Sequence, residues 1–130
     1  MQANPVNVTP YDLIGGEAAV RRLVDRFYDL MDQLPEARRL RDIHAPDLGP
    51  MREKLFEFLS GWLGGPPLYF KRIDAKCMGS AHRPFPIDAA LRDQWMLCMS
   101  QALRGIPMEP NLHQKIEHAL RQMAETLRNR

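Results

Sequence analysis

The sequence predicts an all-α fold, and three observations support that prediction. Apolar residues recur at helical spacing in four segments, at about residues 17–34, 51–62, 88–104 and 111–127. Between these segments the chain carries glycines and prolines, which end helices. No segment has the alternating apolar and polar residues of a half-buried strand, and neither an internal repeat nor a low-complexity run is present.

Composition and charge are ordinary for a soluble globular protein. Apolar residues make up 45% of the 130 residues, so a single domain over residues 1–130 has enough of them for a core and a prosthetic group. The 18 basic and 16 acidic residues leave a net charge of +2, which is too small to indicate a nucleic-acid partner. No apolar run approaches the roughly 20 residues of a membrane span, and no signal peptide opens the chain.

Cysteine usage fits a cytoplasmic protein. Cys77 and Cys98 form neither a disulfide framework nor a zinc site by their spacing, as expected in a reducing compartment. Residues 1–9 are expected to be a polar N-terminal tail, and the expected oligomeric state is a monomer or a homodimer.

Local signals place the first two helices. Thr9 is a capping residue, Pro10 suits the first helical position, and the Gly15-Gly16 pair ends this short helix. The second helix runs from Glu17 to about residue 34 and has one apolar face. That face consists of Val20, Leu23, Val24, Phe27, Tyr28 and Met31.

Three more amphipathic helices follow, after a segment 34–50 that its prolines and glycine predict to be irregular. Their apolar stripes are Met51, Leu55, Phe58, Leu59 and Trp62; Leu91, Trp95, Cys98, Met99 and Ala102; and Leu112, Ile116, Ala119, Leu120, Met123 and Leu127. A capping box formed by Asn111 and Gln114 is expected to start the last helix.

The connection between the third and fourth amphipathic segments is unusually long. It opens with Gly64-Gly65-Pro66-Pro67 and extends about 25 residues to Asp88, whereas connections in helix bundles usually have ~2–8 residues. It holds a single histidine, His82, followed by Pro84 and Pro86, which fix the backbone and prevent a long helix. A histidine on a short, stiff element in so long a connection indicates that a bound group fills the space between the helices.

These motifs, in this order, resemble the truncated haemoglobins, and in particular group II of that family. The residues that carry the resemblance are Tyr11-Asp12-Leu13-Ile14-Gly15-Gly16, Phe27-Tyr28, Gly64-Gly65-Pro66, His82-x-Pro84-Phe85-x-Ile87 and Trp95. The resemblance covers about residues 11–127. It implies a two-over-two α-helical sandwich around haem b, with His82 as the proximal iron ligand.

The chemistry of haem iron is consistent with that role for His82. The iron of globins takes one neutral imidazole nitrogen, while a hydrogen bond to the other nitrogen fixes the ring. A loop histidine with ordinary hydrogen bonds is the commoner case for a lone histidine, so it is the resemblance that favours ligation. His113 and His118 on the last helix are weaker candidates.

The resemblance assigns Tyr28, Trp95 and His44 to the distal side, where a gaseous ligand binds. Dioxygen on ferrous haem carries negative charge, so a hydroxyl or an indole N–H aimed at it slows its release. The alternative is that Tyr28 and Trp95 are core aromatics whose polar tips bond to the backbone. Met51 aligns with the distal gate, where a thioether donates no hydrogen bond.

The remaining haem environment is expected to be apolar, with cations at its edge. The apolar candidates, for which the alternative is ordinary core packing, are Met51, Leu55, Phe58, Leu59, Tyr69, Phe70, Met78, Phe85, Ile87, Met99 and Met123. Relatives commonly have a cation immediately before the proximal histidine to pair with a haem propionate, whereas this chain has Ala81 there. The candidates to replace that cation are Lys71, Arg72, Lys76 and Arg83.

The resemblance implies binding of dioxygen, carbon monoxide, nitric oxide or peroxide. Two or three distal donors favour slow release of dioxygen, which suits nitric oxide dioxygenase-like or peroxidase-like chemistry better than bulk oxygen transport. Such chemistry requires an external reductase, because the sequence has no flavin reductase domain. The alternatives are a haem-based gas or redox sensor and a haem-free helical interaction module.

Overall fold

The computed structural model describes residues 8–72 and 76–130, apart from the side chain of Met78. Over these residues the protein is all-helical and has no strand, which confirms the predicted class. The α-helices are α1 (Pro10–Ile14), α2 (Gly16–Gln33), α3 (Arg38–Asp42), α4 (Gly49–Trp62), α5 (Met78–His82), α6 (Ala89–Arg104) and α7 (Pro110–Leu127); the 3-10 helices are Pro35–Ala37 and Tyr69–Lys71. Most of the predicted polar tail lies outside the described residues. No helix in the described ranges is long and apolar enough to span a bilayer.

The four long helices form two pairs. Helix α2 packs on α4, helix α6 packs on α7, and α2 contacts α6 to join the pairs. The buried apolar core lies where these helices meet. This is the two-over-two sandwich that the sequence predicts. Helix α5 packs on α7 and the 3-10 helix Tyr69–Lys71 packs on α4, so the long connection is attached to both pairs.

Helix α2 is the central helix of the core, because every residue of its predicted apolar face is buried. Helix α4 differs from its predicted stripe. Phe58 and Leu59 are buried, but Leu55 is only half-buried and Met51 is 36% exposed. Phe56, outside the predicted stripe, is buried instead, with the guanidinium of Arg21 stacked 3.8 Å from the centre of its ring.

The Gly64-Gly65 pair is required by the close approach of α1 to the end of α4. A Cβ on Gly65 would lie 2.5 Å from Cδ1 of Tyr11. Gly64 has a φ of 97°, and a Cβ there would lie 2.7 Å from the Cβ of Thr9. The N–H of Tyr11 also donates to the carbonyl of Leu63 at 2.9 Å. These two glycines therefore allow the N-terminal helix to pack on α4.

The predicted cap Thr9 is confirmed at the start of α1. Helix α6 starts next to Asp88, as predicted, and the side chain of Asp88 caps it by accepting from the N–H of Leu91 at 2.9 Å. The predicted box of Asn111 and Gln114 is wrong. Helix α7 begins at Pro110, and Glu109 is its N-cap. The fixed φ of proline at the first helical position determines this start.

The segment 34–50 is more helical than predicted. It contains the 3-10 helix Pro35–Ala37 and helix α3, and becomes irregular only after Asp42. Proline at the start of a helical turn is compatible with helix, so Pro35 begins the first of these turns rather than breaking one.

Candidate haem site

Phe27 brings two of the predicted distal residues together. Its ring contacts the ring of Tyr28 edge-on, with centroids 4.9 Å apart, and its centroid lies 5.4 Å from that of Trp95. Tyr28 follows Phe27 on α2, whereas Trp95 comes from α6. The ring of His44 lies 6.1 Å from that of Tyr28. The fold therefore gathers all three predicted distal side chains around one region.

Tyr28 and Trp95 each carry a donor without a partner in the described part of the chain. Tyr28 is 3% exposed, yet neither its hydroxyl nor the indole N–H of Trp95 bonds to a described residue. The hydroxyl oxygen of Tyr28 and the indole nitrogen of Trp95 each keep some accessible surface, so a ligand can reach them. Satisfaction of these groups by the backbone, the alternative considered for core aromatics, finds no support in the described residues.

The electrostatics of the pocket keep Tyr28 protonated. Burial raises the pKa of Tyr28 well above its ordinary value, and the positive charge of Arg52 opposes that rise only in part. The phenol is therefore a hydrogen-bond donor at any physiological pH.

His44 is held by the backbone of α3. Its Nδ1 lies 2.7 Å from the carbonyl oxygen of Leu40. A carbonyl only accepts, so Nδ1 carries the proton and Nε2 of the neutral ring has a lone pair. Burial lowers the pKa of His44, the Leu40 bond opposes this, and the charges of Arg41 and His82 lower it further. Neutral His44 therefore offers an acceptor at Nε2, whereas the Tyr28 hydroxyl and the Trp95 indole N–H offer donors.

Gln94 is a residue of the site that sequence reasoning missed. Its side-chain oxygen accepts a hydrogen bond from the N–H of Leu40 at 3.0 Å. The backbone of Leu40 thus links α6 to His44: its N–H donates to Gln94, and its carbonyl accepts from the His44 ring. Since Gln94 precedes Trp95, one turn of α6 carries Trp95 and, through Leu40, supports His44. A contact across 54 residues has no sequence signal.

The predicted proximal residue, His82, is the last residue of α5 and is half-buried. The sulfur of Cys77 caps the helix, and the N–H of Phe85 donates to the His82 carbonyl at 3.0 Å after it. A charge on His82 lowers the pKa of His44, so the two histidines are within electrostatic reach of each other.

Exposed apolar surface is present at three of the predicted haem contacts. Of the large apolar side chains exposed within the described ranges, three were predicted haem contacts: Met51 at 36%, Phe85 at 42% and Phe70 at 60%. A large apolar group would cover such surface at a favourable free energy. An imidazole, two unpaired donors and this apolar surface together fit haem.

The other predicted haem contacts divide by burial. Phe58, Leu59, Tyr69 and Met99 are buried, whereas Leu55, Ile87 and Met123 are half-buried. The side chain of Met78 lies outside the described residues. The hydroxyl of Tyr69 donates to the carbonyl of Lys76 at 2.8 Å, which ties the 3-10 helix to the segment before α5.

The propionate candidates differ in their pairing. Arg72 forms a two-pronged ion pair with Glu57, in which Nη2 and Oε2 are 3.1 Å apart. Lys71, Lys76 and Arg83 are exposed and form no ion pair with a described acidic residue. The choice among the four remains a prediction.

Comparison with known proteins agrees with this geometry. The model of the bacterial-like globin family matches residues 9–129. The chain is 34% identical over 105 residues to the group 2 truncated haemoglobin YjbI of Bacillus subtilis (strain 168), covering 81% of this chain and 76% of that protein.

Two solved structures superpose on the chain with a TM-score of 0.91. One is the cold-adapted truncated haemoglobin of the Antarctic marine bacterium Pseudoalteromonas haloplanktis TAC125, at 40% identity over 95% of this chain and 99% of that one. The other is the group II 2-on-2 haemoglobin of the plant pathogen Agrobacterium tumefaciens, at 39% identity over 99% and 98%. The chain therefore belongs to the bacterial-like globin family and is a group II truncated haemoglobin, with haem b as its cofactor and gaseous molecules as its ligands.

Proposed function

We propose that this haemoglobin retains dioxygen for redox chemistry, rather than carrying it in bulk, with His82 as the proximal ligand. The observation that carries the proposal is the pair of donors, the Tyr28 hydroxyl and the Trp95 indole N–H, that lack described partners beside Phe27. Haem supplies, when bound, a ferrous iron that takes a diatomic ligand and can give up one electron.

Tyr28 and Trp95 would act on the ligand by donating hydrogen bonds. A hydrogen bond to a charged acceptor is worth about 1.5–3 kcal/mol, so each donor would slow ligand release roughly ten- to a hundredfold. Because Tyr28 is only 3% exposed, water competes poorly for its bond. Slow release of dioxygen suits a protein in which dioxygen reacts while it is bound. It does not suit an oxygen carrier, which must release its dioxygen.

Oxidation of nitric oxide is the redox reaction we favour. One dioxygen and one nitric oxide contain all the atoms of nitrate, and the one further electron that the anion needs would be supplied by the haem iron. An external one-electron donor must return that electron before the next cycle. Nitric oxide is small enough to diffuse through apolar packing, so it could reach and react with the retained dioxygen.

Activation of hydrogen peroxide is the second candidate, and His44 favours it. The ring is neutral, its Nδ1–H is fixed on the Leu40 carbonyl, and Nε2 is left as a proton acceptor. Such a nitrogen can take the proton of a peroxide and return it to the leaving oxygen. Tyr28 and Trp95 would then be donors to the same substrate.

The first test is the optical spectrum of the ferric, ferrous and carbon monoxide-bound protein. His82→Ala should lose haem or its histidine-ligated ferrous spectrum, whereas His118→Ala, at an exposed site on α7, should not. Equal spectra for the two variants would exclude His82 as the ligand.

The distal proposal is tested by dioxygen dissociation rates. Tyr28→Phe and Trp95→Phe should each raise the rate about tenfold or more. Matched controls are Tyr11→Phe, on α1, and Trp62→Phe, half-buried at the end of α4. Rates for both distal variants within about twofold of wild type would contradict the proposal.

The reaction itself is tested by mixing the oxygenated protein with one equivalent of nitric oxide. Conversion to one equivalent of nitrate, with ferric protein as the other product, supports nitric oxide oxidation. If nitrate does not form but the ferric protein turns over peroxide and His44→Gln abolishes that turnover, the second candidate replaces the first.

A further inference from the structure

Arg52 reaches from α4 to the turn of α2 that carries Tyr28. Its Nη1 donates to the carbonyl and to Oδ1 of Asp25, both at 3.1 Å, and its Nη2 donates to Oδ1 of Asp29 at 2.8 Å. These aspartates lie three residues before and one residue after Tyr28. The Arg52 side chain is 25% exposed, so its ion pairs are partly shielded from solvent.

The same guanidinium also lies against Tyr28 itself. Its Cζ is 5.7 Å from the centre of the tyrosine ring, within the range of a cation–π contact. Its charge lowers the pKa of the phenol, against the larger effect of burial. Arg52 therefore contacts both the backbone turn and the ring, while the hydroxyl has no described partner to fix it.

We infer that Arg52 is a positioning residue for ligand binding: by clamping α4 to Asp25 and Asp29 and packing on the Tyr28 ring, it sets the orientation of the Tyr28 hydroxyl. This inference rests on the proposed function of Tyr28 as a distal donor. Arg52 touches no ligand in this scheme and acts only through the tyrosine. Arg52 thus gives Tyr28 a polar contact, in addition to the apolar packing of its ring.

The chain offers a matched control for the ordinary structural role of such an arginine. Arg21 also joins α2 to α4, in the opposite direction, by an ion pair with Glu53. It also stacks on an aromatic ring, that of Phe56, at 3.8 Å. Arg21 thus has the same two kinds of contact as Arg52 without contacting Tyr28. Loss of helix–helix attachment alone should affect both variants alike.

The test compares Arg52→Met and Arg21→Met in the haem-loaded protein, each alone and combined with Tyr28→Phe. Arg52→Met should speed dioxygen release about three- to tenfold, whereas Arg21→Met should change it less than about twofold. In the Tyr28→Phe background Arg52→Met should not change the release rate further, because Arg52 acts on the ligand only through the Tyr28 hydroxyl. Arg52→Lys keeps the charge but not the planar fork and should give an intermediate rate.

Two spectroscopic measurements report on orientation independently of rates. The infrared C–O stretch of the carbon monoxide complex should shift or broaden in Arg52→Met and not in Arg21→Met, because it senses the donor facing the ligand. The NMR signals of the Tyr28 ring should move in the same variant and not in the control.

The outcomes separate this inference from the proposed function. If Tyr28→Phe speeds dioxygen release but Arg52→Met does not, the inference fails and the proposed function stands. An equal effect of Arg52→Met with and without the Tyr28 hydroxyl would also overturn it. If Tyr28→Phe has no effect, the proposed role of Tyr28 fails, and unmoved ring signals in Arg52→Met would then refute the positioning as well.

Discussion

Asn129 and Ile87 are joined by two hydrogen bonds of 2.8 Å: the N–H of Ile87 donates to Oδ1 of Asn129, and the N–H of Asn129 donates to the carbonyl of Ile87. The side-chain amide of Asn129 donates as well, to the carbonyl of Phe85 at 2.9 Å. The residues after α7 therefore hold the extended segment that follows His82. Because this segment connects α5 to α6, the contact restrains the position of the predicted proximal ligand.

Asn129→Ala should weaken the retention of haem. It removes two side-chain hydrogen bonds, each worth roughly 0.5–1.5 kcal/mol, and leaves the backbone bond in place. We expect faster loss of ferric haem to an excess of a haem acceptor, by about three- to tenfold, and a lower Tm. Asn111→Ala, at another exposed asparagine, is the control. Equal rates of haem loss in the two variants would show that the segment is held by other contacts.

The parts of the fold that the sequence predicted are those that local physics determines. Apolar periodicity located the long helices, and Thr9 was identified as a cap because capping needs only neighbouring residues. Periodicity did not distinguish the pocket face of α4 from its core face. The predicted stripe therefore included Met51, which is exposed, and left out Phe56, which is buried.

The supports of the site could not be predicted in this way. The bonds from Leu40 to Gln94 and from Ile87 to Asn129 join residues far apart in sequence, and a single sequence does not reveal such pairs. The ligand and donor residues followed from the resemblance and not from spacing. A lone histidine or a striped aromatic is more often ordinary loop or core, so residue chemistry alone would have left the site open.

Gly65→Ala should destabilise the protein by roughly 1–3 kcal/mol, the usual cost of forcing atoms into a packed site. The three nearest atoms to the new Cβ all belong to the ring of Tyr11, the closest at 2.5 Å. That ring cannot withdraw freely, because the Tyr11 N–H is bonded to Leu63. Denaturant unfolding measures the change.

Gly79→Ala is the control for this substitution. Gly79 lies within α5, and nothing is within 4 Å of a Cβ placed there. Since alanine favours helix over glycine by up to about 1 kcal/mol, this variant should be neutral or slightly stabilised. A loss of stability equal to that of Gly65→Ala would show that the packing of α1 on α4 is not the cause.

The two thiols should react at very different rates. Cys77 is exposed, and hydrogen bonds from Ser80 lower the pKa of its thiol below the ordinary value. Burial instead raises the pKa of the Cys98 thiol to about 11. A disulfide reagent should therefore titrate one thiol rapidly in the native protein and the second only on unfolding. Rapid reaction of both in the native state would show that α6 opens readily, and Cys77→Ser identifies the fast site.

Protonation of His44 should destabilise the folded protein in mild acid. Burial lowers the pKa of His44 below its ordinary 6.5, the bond to Leu40 opposes this, and the charge of Arg41 lowers the pKa further. The unfolded chain then binds this proton more tightly than the folded one, so the free energy of unfolding rises with pH in the interval between the two pKa values. Stability is complete above about pH 6.5 and is lost as the pH falls toward the folded-state pKa. Below that value both states are protonated and no further loss occurs.

His44→Gln should remove this acid-dependent loss, and His118→Gln, at an exposed position on α7, should leave it in place. The measurement is denaturant unfolding of both variants and the wild type between about pH 5 and pH 8. Protonation also turns Nε2 of His44 from an acceptor into a donor, so dioxygen release from the wild type should slow as the pH falls through the folded-state pKa of His44. Release rates that are independent of pH in the wild type, or equally dependent in His44→Gln, would mean that this ring does not face the ligand.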